Sequence, residues 1–307
     1  MLPPQSPTIP HVLSIAGTDP SGGAGTAADV KSISAAGGYG MAVVTSLVAQ
    51  NTHGVRAIHT PPVEFFREQL AAVADDVYLD AIKIGMVGTQ EYLAALVEWL
   101  RDAAPRAPWI VVDPVMVASS GDSLAQGRSD SSLAALIAAA DVVTPNIPEL
   151  AVLAGLPEIS GGAGSTSEPR EATDLREALA QGKAVAAAFD TTVVVKTGHL
   201  SGADAGNTAV FPDGTSHHAA SRRVETTATH GTGCSLSSAL AARLAAQPAG
   251  AQASSAVSQA LDWATEWLHG AIAAGEWLGV GRALPAADAG IGHGPVDHFW
   301  RLRGVLA

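Results

Sequence analysis

The chain's single cysteine, Cys234, stands in THGTGCSLSSAL, where residues 229–233 form a glycine-broken loop that leads into an apolar helical pattern. The backbone N–H groups near Gly231, Thr232, Gly233 and Cys234 would then converge on one spot with the positive end of a helix dipole behind them, an arrangement that binds anions. A thiol placed there is expected below its free pKa of ~8.5, which makes a thiolate, or a strong hydrogen bond to a reacting oxygen, accessible. The other reading is a small buried side chain, since free cysteine is among the most buried types. A second glycine-rich segment, GTDPSGGAGTAADVK, begins at Gly17; Gly22, Gly23 and Gly25 either let backbone approach a ligand or simply turn the chain. It matches neither of the common phosphate-binding fingerprints, which lowers the Rossmann and P-loop readings. Asp29 lies one turn into the following helix and Gln50 lies in VAQNT. A carboxylate and an amide could read the edge of a nitrogen heterocycle, whereas Asp29 alone could equally serve the helix dipole or face solvent.

Elements must hold these groups, and the pattern supplies them. The runs HVLSIAG, AVVTSLVA, DAIKIG, PWIVVDPV, DVVTP and TTVVVK read as strands, the second taken as one strand with Gln50 after it. Helical patterns cover residues 24–36, 62–76, 90–103, 130–140, 147–155, 170–189, 232–246 and 251–274. Strand and crossover helix repeated this often give a mostly parallel sheet with helices on both faces and right-handed connections. Residues 207–212 and 216–221, parted by Asp213 and Gly214, predict a small antiparallel edge hairpin. Residues 157–173, rich in Gly, Ser, Pro and Glu, are expected to form an exposed mobile loop. Ligands of such sheets gather outside the carboxyl ends of the strands, which is where the glycine-rich segments fall. One α/β domain over residues 11–307 is expected, preceded by a flexible leader (1–10) carrying four prolines.

Composition narrows the function classes. Of 307 residues, 47% are hydrophobic and 15% charged, enough apolar surface for a large core and against disorder. A net charge of −12 disfavours nucleic acid, so a phosphate-bearing partner has to be met locally. No apolar stretch reaches the ~18 residues of a membrane span, and MLPPQSPTIP lacks the basic and apolar regions of a signal peptide, so a cytoplasmic protein without membrane contact is expected. One cysteine rules out an intramolecular disulfide and a thiolate zinc cluster. His217 and His218 are adjacent on a predicted strand and point apart, unlike zinc ligands on one helix face. Trp263 and Trp267, one helical turn apart, form a core or subunit-interface stripe.

Read in order, GTDPSGGAG, ADVK, VAQNT, KIGM, VVDPVM, SGD, TPNIPE, VVKTGH and THGTGCSLSSA, with GPVDHF near the end, resemble the hydroxymethylpyrimidine/phosphomethylpyrimidine kinases of the ribokinase-like group. The resemblance spans about residues 11–240. It implies a three-layer ribokinase-like fold, with ATP as co-substrate and Mg²⁺ as cofactor. The γ-phosphoryl group would pass to 4-amino-5-hydroxymethyl-2-methylpyrimidine and then to its monophosphate, for thiamine diphosphate synthesis, in an enzyme expected to be a homodimer.

By the same resemblance Asp29 and Gln50 hold the aminopyrimidine, with Gly17, Met86 and Val115 lining its pocket. The resemblance also implies that Asn146 and Glu149 place the Mg²⁺ through water. Lys196 meets phosphate with Asp113 beside it, Asn146 and Thr197 belong to the ATP site, and Gly231, Thr232, Gly233 and Cys234 form the anion hole. Three positions depart from the family: Thr197 where glycine is frequent, Ser235 where threonine is, and Ser119 where a lysine is expected to face phosphate. A pyridoxal or pyridoxine kinase is the nearest rival reading, and a non-catalytic nucleotide-binding regulator a second. Gln50 and Asp29 favour the aminopyrimidine.

Overall fold

Short apolar runs pair side by side because each is buried on both faces and has nowhere else to satisfy its backbone. The structure, a computed structural model, describes residues 9–102, 109–115, 130–160, 170–248, 250–281 and 292–306. Its strands are β1 (His11–Ala16), β2 (Tyr39–Val44), β3 (Leu47–Asn51), β4 (Gly54–His59), β5 (Ala81–Ile84), β6 (Trp109–Val112), β7 (Val142–Val143), β8 (Thr192–Lys196), β9 (Asn207–Val210) and β10 (Ser216–Ala219). The helices are α1 (Gly25–Ala35), α2 (Val63–Ala74), α3 (Gln90–Asp102), α4 (Asp130–Ala138), α5 (Ile147–Ala154), α6 (Pro157–Ser160), α7 (Leu175–Phe189), α8 (Thr232–Ala245), α9 (Ala253–Ala274) and α10 (Trp300–Leu306). Eight strands form one sheet in the order β10-β9-β8-β7-β6-β5-β1-β2, and β3 and β4 form a separate antiparallel pair. From β2 to β8 neighbouring strands run parallel, and β9 and β10 add the antiparallel edge.

Successive strand residues enter opposite cores. Leu13, Val112, Val143, Val193 and Val195 meet α2, α3, α4, α5 and α7, while Val12, Val111, Val142 and Val194 meet α1, α8 and α9. This is the period-2 alternation of a strand covered on both sides. Trp267 is 1% exposed within the second core. Trp263 stacks on it and is flanked by Arg243 and Arg301, whose guanidinium carbons lie 4.8 and 5.1 Å from its ring. Trp267 is thus a core residue, and Trp263 packs at the edge of that core.

Three expectations need correction. AVVTSLVA is not one strand: β2 ends at Val44, Thr45 and Ser46 bond across to Ala16 and Thr18, and the chain leaves the sheet to begin β3. Gln50 therefore lies on β3, beside a register shift between Ala49 and Gln50. The helix expected from residue 170 begins at Leu175, because Asp174 caps it by accepting from the Glu177 N–H. The loop expected over 157–173 opens with the turn α6, and residues 161–169 lie outside the described residues. So do residues 1–8 of the leader and Ser119.

Candidate active site

All parallel strands end at one edge of the sheet, and β6, β7 and β8 bring three polar groups to adjacent positions there. Asp113 follows β6, Thr144 follows β7 and Lys196 ends β8. The Lys196 ammonium donates to Asp113 Oδ1 at 2.7 Å and lies 3.6 Å from Glu149 Oε2, and the Thr144 hydroxyl donates to the same Asp113 oxygen at 3.1 Å. Burial works against each of these charges, but their mutual attraction decides for two of them. Lys196 is held above its ordinary pKa by Asp113 and Glu149, and Asp113 below its own by Lys196 and Lys83. Burial pushes the Glu149 carboxyl up; Lys196 opposes this and the neighbouring Asp113 charge adds to it. This Lys-carboxylate cluster abuts the anion loop, for a Cβ at Gly233 would lie 3.1 Å from Lys196 Nζ and 3.6 Å from Asp113 Oδ2.

The anion loop itself is open. Gly231 caps α8 with φ 76°, and no side chain caps this helix start. Among the described residues none accepts from the backbone N–H of Gly233 or Cys234, so two first-turn donors face the site with the helix dipole behind them. Cys234 is half-buried beside them. The expected lowering of its pKa is overturned: burial pushes the thiol up to about 11, against Lys83, and Asp29 and Asp113 add to the rise. The N–H of Gly25, donating to the sulfur, favours the thiolate without reversing this. Burial, with Asp29 and Asp113 added to it, outweighs Lys83 and the Gly25 N–H, which favours the thiol form of Cys234 at neutral pH.

The ring side is partly as expected. Met86 packs over Gly17, where a Cβ would collide with its methyl group and stand 3.6 Å from Val48. Val115 is half-buried beside Asp113, to whose carbonyl its N–H donates at 2.7 Å. Gln50 is half-buried and its side chain approaches Asp19. Asp29, however, is 0% exposed: Ser14 and Ser238 donate to it at 2.6 and 2.7 Å, and Lys83 at 2.8 Å. It binds β1, β5 and α8 to α1 beneath the site and is not available to a ring edge.

Two further candidate residues also make contacts inside the protein. The Asn146 side-chain oxygen accepts from the Glu149 N–H and Glu149 Oε2 accepts from the Asn146 N–H, a capping box that starts α5. Asn146 thus holds Glu149 in place and lends its oxygen to the helix. The Thr197 hydroxyl is buried and donates to the Gly206 carbonyl at 2.6 Å, so it orders the chain after β8.

Sequence reasoning missed Lys83, Asp19, Ser14 and Ser238. A lysine within the apolar strand AIKI was the signal for Lys83, since a charge there requires a buried partner; Asp19 before Pro20 and Ser21 carries the composition of an Asx turn. Among the described residues no group of three or more His, Cys, Asp or Glu could hold a metal. The donor set nevertheless suits Mg²⁺, which takes one or two carboxylates and completes its shell with phosphate and water: Asp113 and Glu149 both approach Lys196 at the mouth of the anion loop.

A sheet of this order, with its ligand groups at the carboxyl ends of the parallel strands and a small antiparallel pair beside them, is the ribokinase-like fold of small-molecule kinases. The pyridoxal kinase of Staphylococcus aureus, solved in complex with AMP-PCP and pyridoxal, is similar in structure with a TM-score of 0.73 at 25% identity, covering 95% of this chain and 94% of its own. The model of the phosphomethylpyrimidine kinase family matches residues 19–283, and the chain belongs to that family. Among curated relatives, the hydroxymethylpyrimidine/phosphomethylpyrimidine kinase of Rhizobium meliloti is 42% identical over 94% of this chain and 97% of its own length. The thiamine biosynthesis multifunctional protein ThiED of Corynebacterium efficiens is 48% identical over 97% of this chain, which spans 36% of that protein's length.

Proposed function

We propose that the chain is an ATP-dependent kinase that phosphorylates 4-amino-5-hydroxymethyl-2-methylpyrimidine and then its monophosphate. The observation that carries this reading is Lys196, held between Asp113 and Glu149 and set against Gly233 in a loop whose N–H groups are open. Phosphoryl transfer asks for alignment and for neutralisation of charge on the phosphoryl oxygens, and a cation beside unpaired N–H donors supplies both. Bound Mg²⁺, held by Asp113 and Glu149, would neutralise phosphate charge. The hydroxymethyl oxygen forms the new bond to the γ-phosphorus as the bond to the β-phosphate oxygen breaks. A thiol with a pKa near 11 is protonated at this stage, so Cys234 orients the nucleophile and the alcohol's proton leaves late, onto the transferred phosphoryl group.

Gln50 and the surface formed by Gly17, Met86 and Val48 take the ring. The rival reading, a pyridoxal kinase, draws on the overlap with the S. aureus enzyme, but identity is 25% there against 42% for the R. meliloti kinase. ATP consumption measured with each ring separates the two: higher kcat/KM for the aminopyrimidine supports the proposal, and higher kcat/KM for pyridoxal replaces it. No turnover with either ring would favour a nucleotide-binding regulator.

Residues 11–307 are taken as one kinase domain, because the segment 292–298 returns to the site, with its His293 and Gly294 N–H groups donating to the Thr52 and Thr227 carbonyls. A homodimer is proposed from the apolar edge that β2 and the β3–β4 pair leave uncovered: Tyr39, Leu47 and Ile58 are 61%, 51% and 43% exposed. Sedimentation of Leu47→Asp beside the parent chain tests it, a parent monomer overturning the assignment. No helix is long and apolar enough to cross a membrane; a cytoplasmic site is proposed from ATP use and from the free thiol.

A further inference from the structure

The two glycine-rich segments that frame the site are held together by one side chain. Asp19 is 4% exposed. Its Oδ1 accepts from the Ser21 N–H at 2.8 Å and the Ser21 hydroxyl at 2.7 Å. Its Oδ2 accepts from the Gly23 and Ala24 N–H groups at 3.1 and 2.7 Å, and bonds His230 Nε2 at 2.7 Å across 211 residues of sequence. On the ring side the Gln50 amide approaches the same carboxylate, and its strand β3 is tied to the residue before Asp19 by the Val48 N–H, which donates to Thr18 Oγ1 at 2.9 Å. A Cβ at Gly23 would strike the His230 ring and one at Gly231 would strike the Gly23 carbonyl, so the loops interlock with no room for side chains. The His230 N–H donates to the Gly294 carbonyl at 2.9 Å, which fixes the anion loop from its other side. Burial opposes the Asp19 charge, yet these donors, His230 first, hold its carboxyl well below the usual range.

We propose that Asp19 is a positioning residue that sets two halves of the reaction at once, the anion loop through His230 and the ring-side amide through Gln50. The inference rests on the kinase reading above. A carboxylate is required because both oxygens only accept. Asparagine would keep its shape and the Ser21 contacts but turn an NH₂ toward three donors, releasing His230 and the α1 start. A displaced loop misaligns the phosphoryl group, and about 1 Å of misplacement costs up to ~10²-fold in rate.

Kinetics of Asp19→Asn, His230→Leu and His230→Gln test this, glutamine retaining a donor near the place of Nε2. Asp19→Asn should lower kcat and raise KM for the aminopyrimidine, each by about tenfold or more. His230→Leu should lower kcat with that KM unmoved, and His230→Gln should recover most of the loss. A loss of fold would instead lower the active fraction and leave KM alone in all three. Calorimetry with a non-hydrolysable MgATP analogue needs no ring substrate, and should show about tenfold weaker binding in Asp19→Asn and His230→Leu but not in His230→Gln. An inactive parent enzyme with the aminopyrimidine would thus sink the substrate reading alone. If Asp19→Asn does not fold by circular dichroism, the His230 pair decides. Equal constants for His230→Leu and His230→Gln, or an Asp19→Asn enzyme with parental kcat, KM and nucleotide affinity, would overturn the proposal.

Discussion

At the scale of single residues, side-chain type located the site and hydrogen-bond partners decided what each group can do. Cys234 was legible from its glycine-broken loop before a helix, whereas Lys196 and Asp113 came only with the family resemblance, and the structure sets them side by side. That Asp29, Asn146 and Thr197 are engaged inside the protein was not legible, since their partners, Ser238 and Lys83 above all, come from distant elements. The Cys234 thiol makes this measurable. Only the thiolate is alkylated, so iodoacetamide should react slowly at pH 7 and faster through an inflection near 11; an inflection below 8.5 would restore a thiolate at rest. Asp29→Asn removes one partner of a buried ion pair and should cost about 3–5 kcal/mol in denaturant unfolding, with KM for the aminopyrimidine unmoved in the folded fraction. A raised KM at parental stability would return Asp29 to the ring pocket. Glu149 behaves oppositely. Its carboxyl is raised by burial, so its charged form is disfavoured by folding, a cost present above the raised pKa and relieved as the pH falls below it. Glu149→Gln keeps the capping box and sheds that charge, so Tm at pH 7 should rise, while kcat falls far more than aminopyrimidine affinity. A lowered Tm, or unchanged turnover at saturating substrate, would contradict the placement.

At the scale of elements, alternation of apolar runs revealed the parallel sheet, its antiparallel edge and most helices, because burial on both faces leaves an apolar run in interior strands such as β5 and β8. It failed where a continuous apolar run changes sheets. In AVVTSLVA nothing but Thr45 and Ser46 marks the exit from β2, and their bonds to Ala16 and Thr18 exist only once β1 is in place. Loop-to-helix junctions were better marked, since a glycine with φ above zero cannot be replaced quietly. Gly231 (φ 76°) and Gly37 (φ 93°) separate two reasons for this. At Gly37 nothing lies within 4 Å of an added Cβ, whereas at Gly231 the Gly23 carbonyl occupies its place. Gly37→Ala should therefore cost the strain of the left-handed region alone, about 1–2 kcal/mol, and keep kcat. Gly231→Ala should add a loop displacement and lose ~10²-fold in kcat. Thermal melts with kinetics on both variants check this, and equal kcat in the two would mean that the interlock is dispensable.

At the scale of the whole molecule, charge sets the hardest demand on this site. The chain carries −12 overall, and the cluster at the strand ends holds one ammonium between two carboxylates, Asp113 and Glu149. Lys83 adds nothing net, being paired with Asp29 in a fully buried bridge. Attraction for phosphate must then come from the open N–H groups of the α8 start and from a divalent cation, because Coulomb repulsion between anions is only weakly screened in a partly buried site. In the proposed reaction the first acceptor is a neutral alcohol and feels little of this. The second is a monophosphate that must approach ATP, so its repulsion grows with both charges. KM for the monophosphate should consequently fall as free Mg²⁺ rises, over a range in which KM for the alcohol stays nearly flat, and chelation should abolish the second step first. Phosphorus NMR of purified hydroxymethylpyrimidine monophosphate with ATP at graded Mg²⁺ follows the diphosphate directly. Equal Mg²⁺ dependence of the two steps would show that the N–H groups alone carry the charge, and absence of diphosphate at every Mg²⁺ level would leave a kinase of the alcohol only.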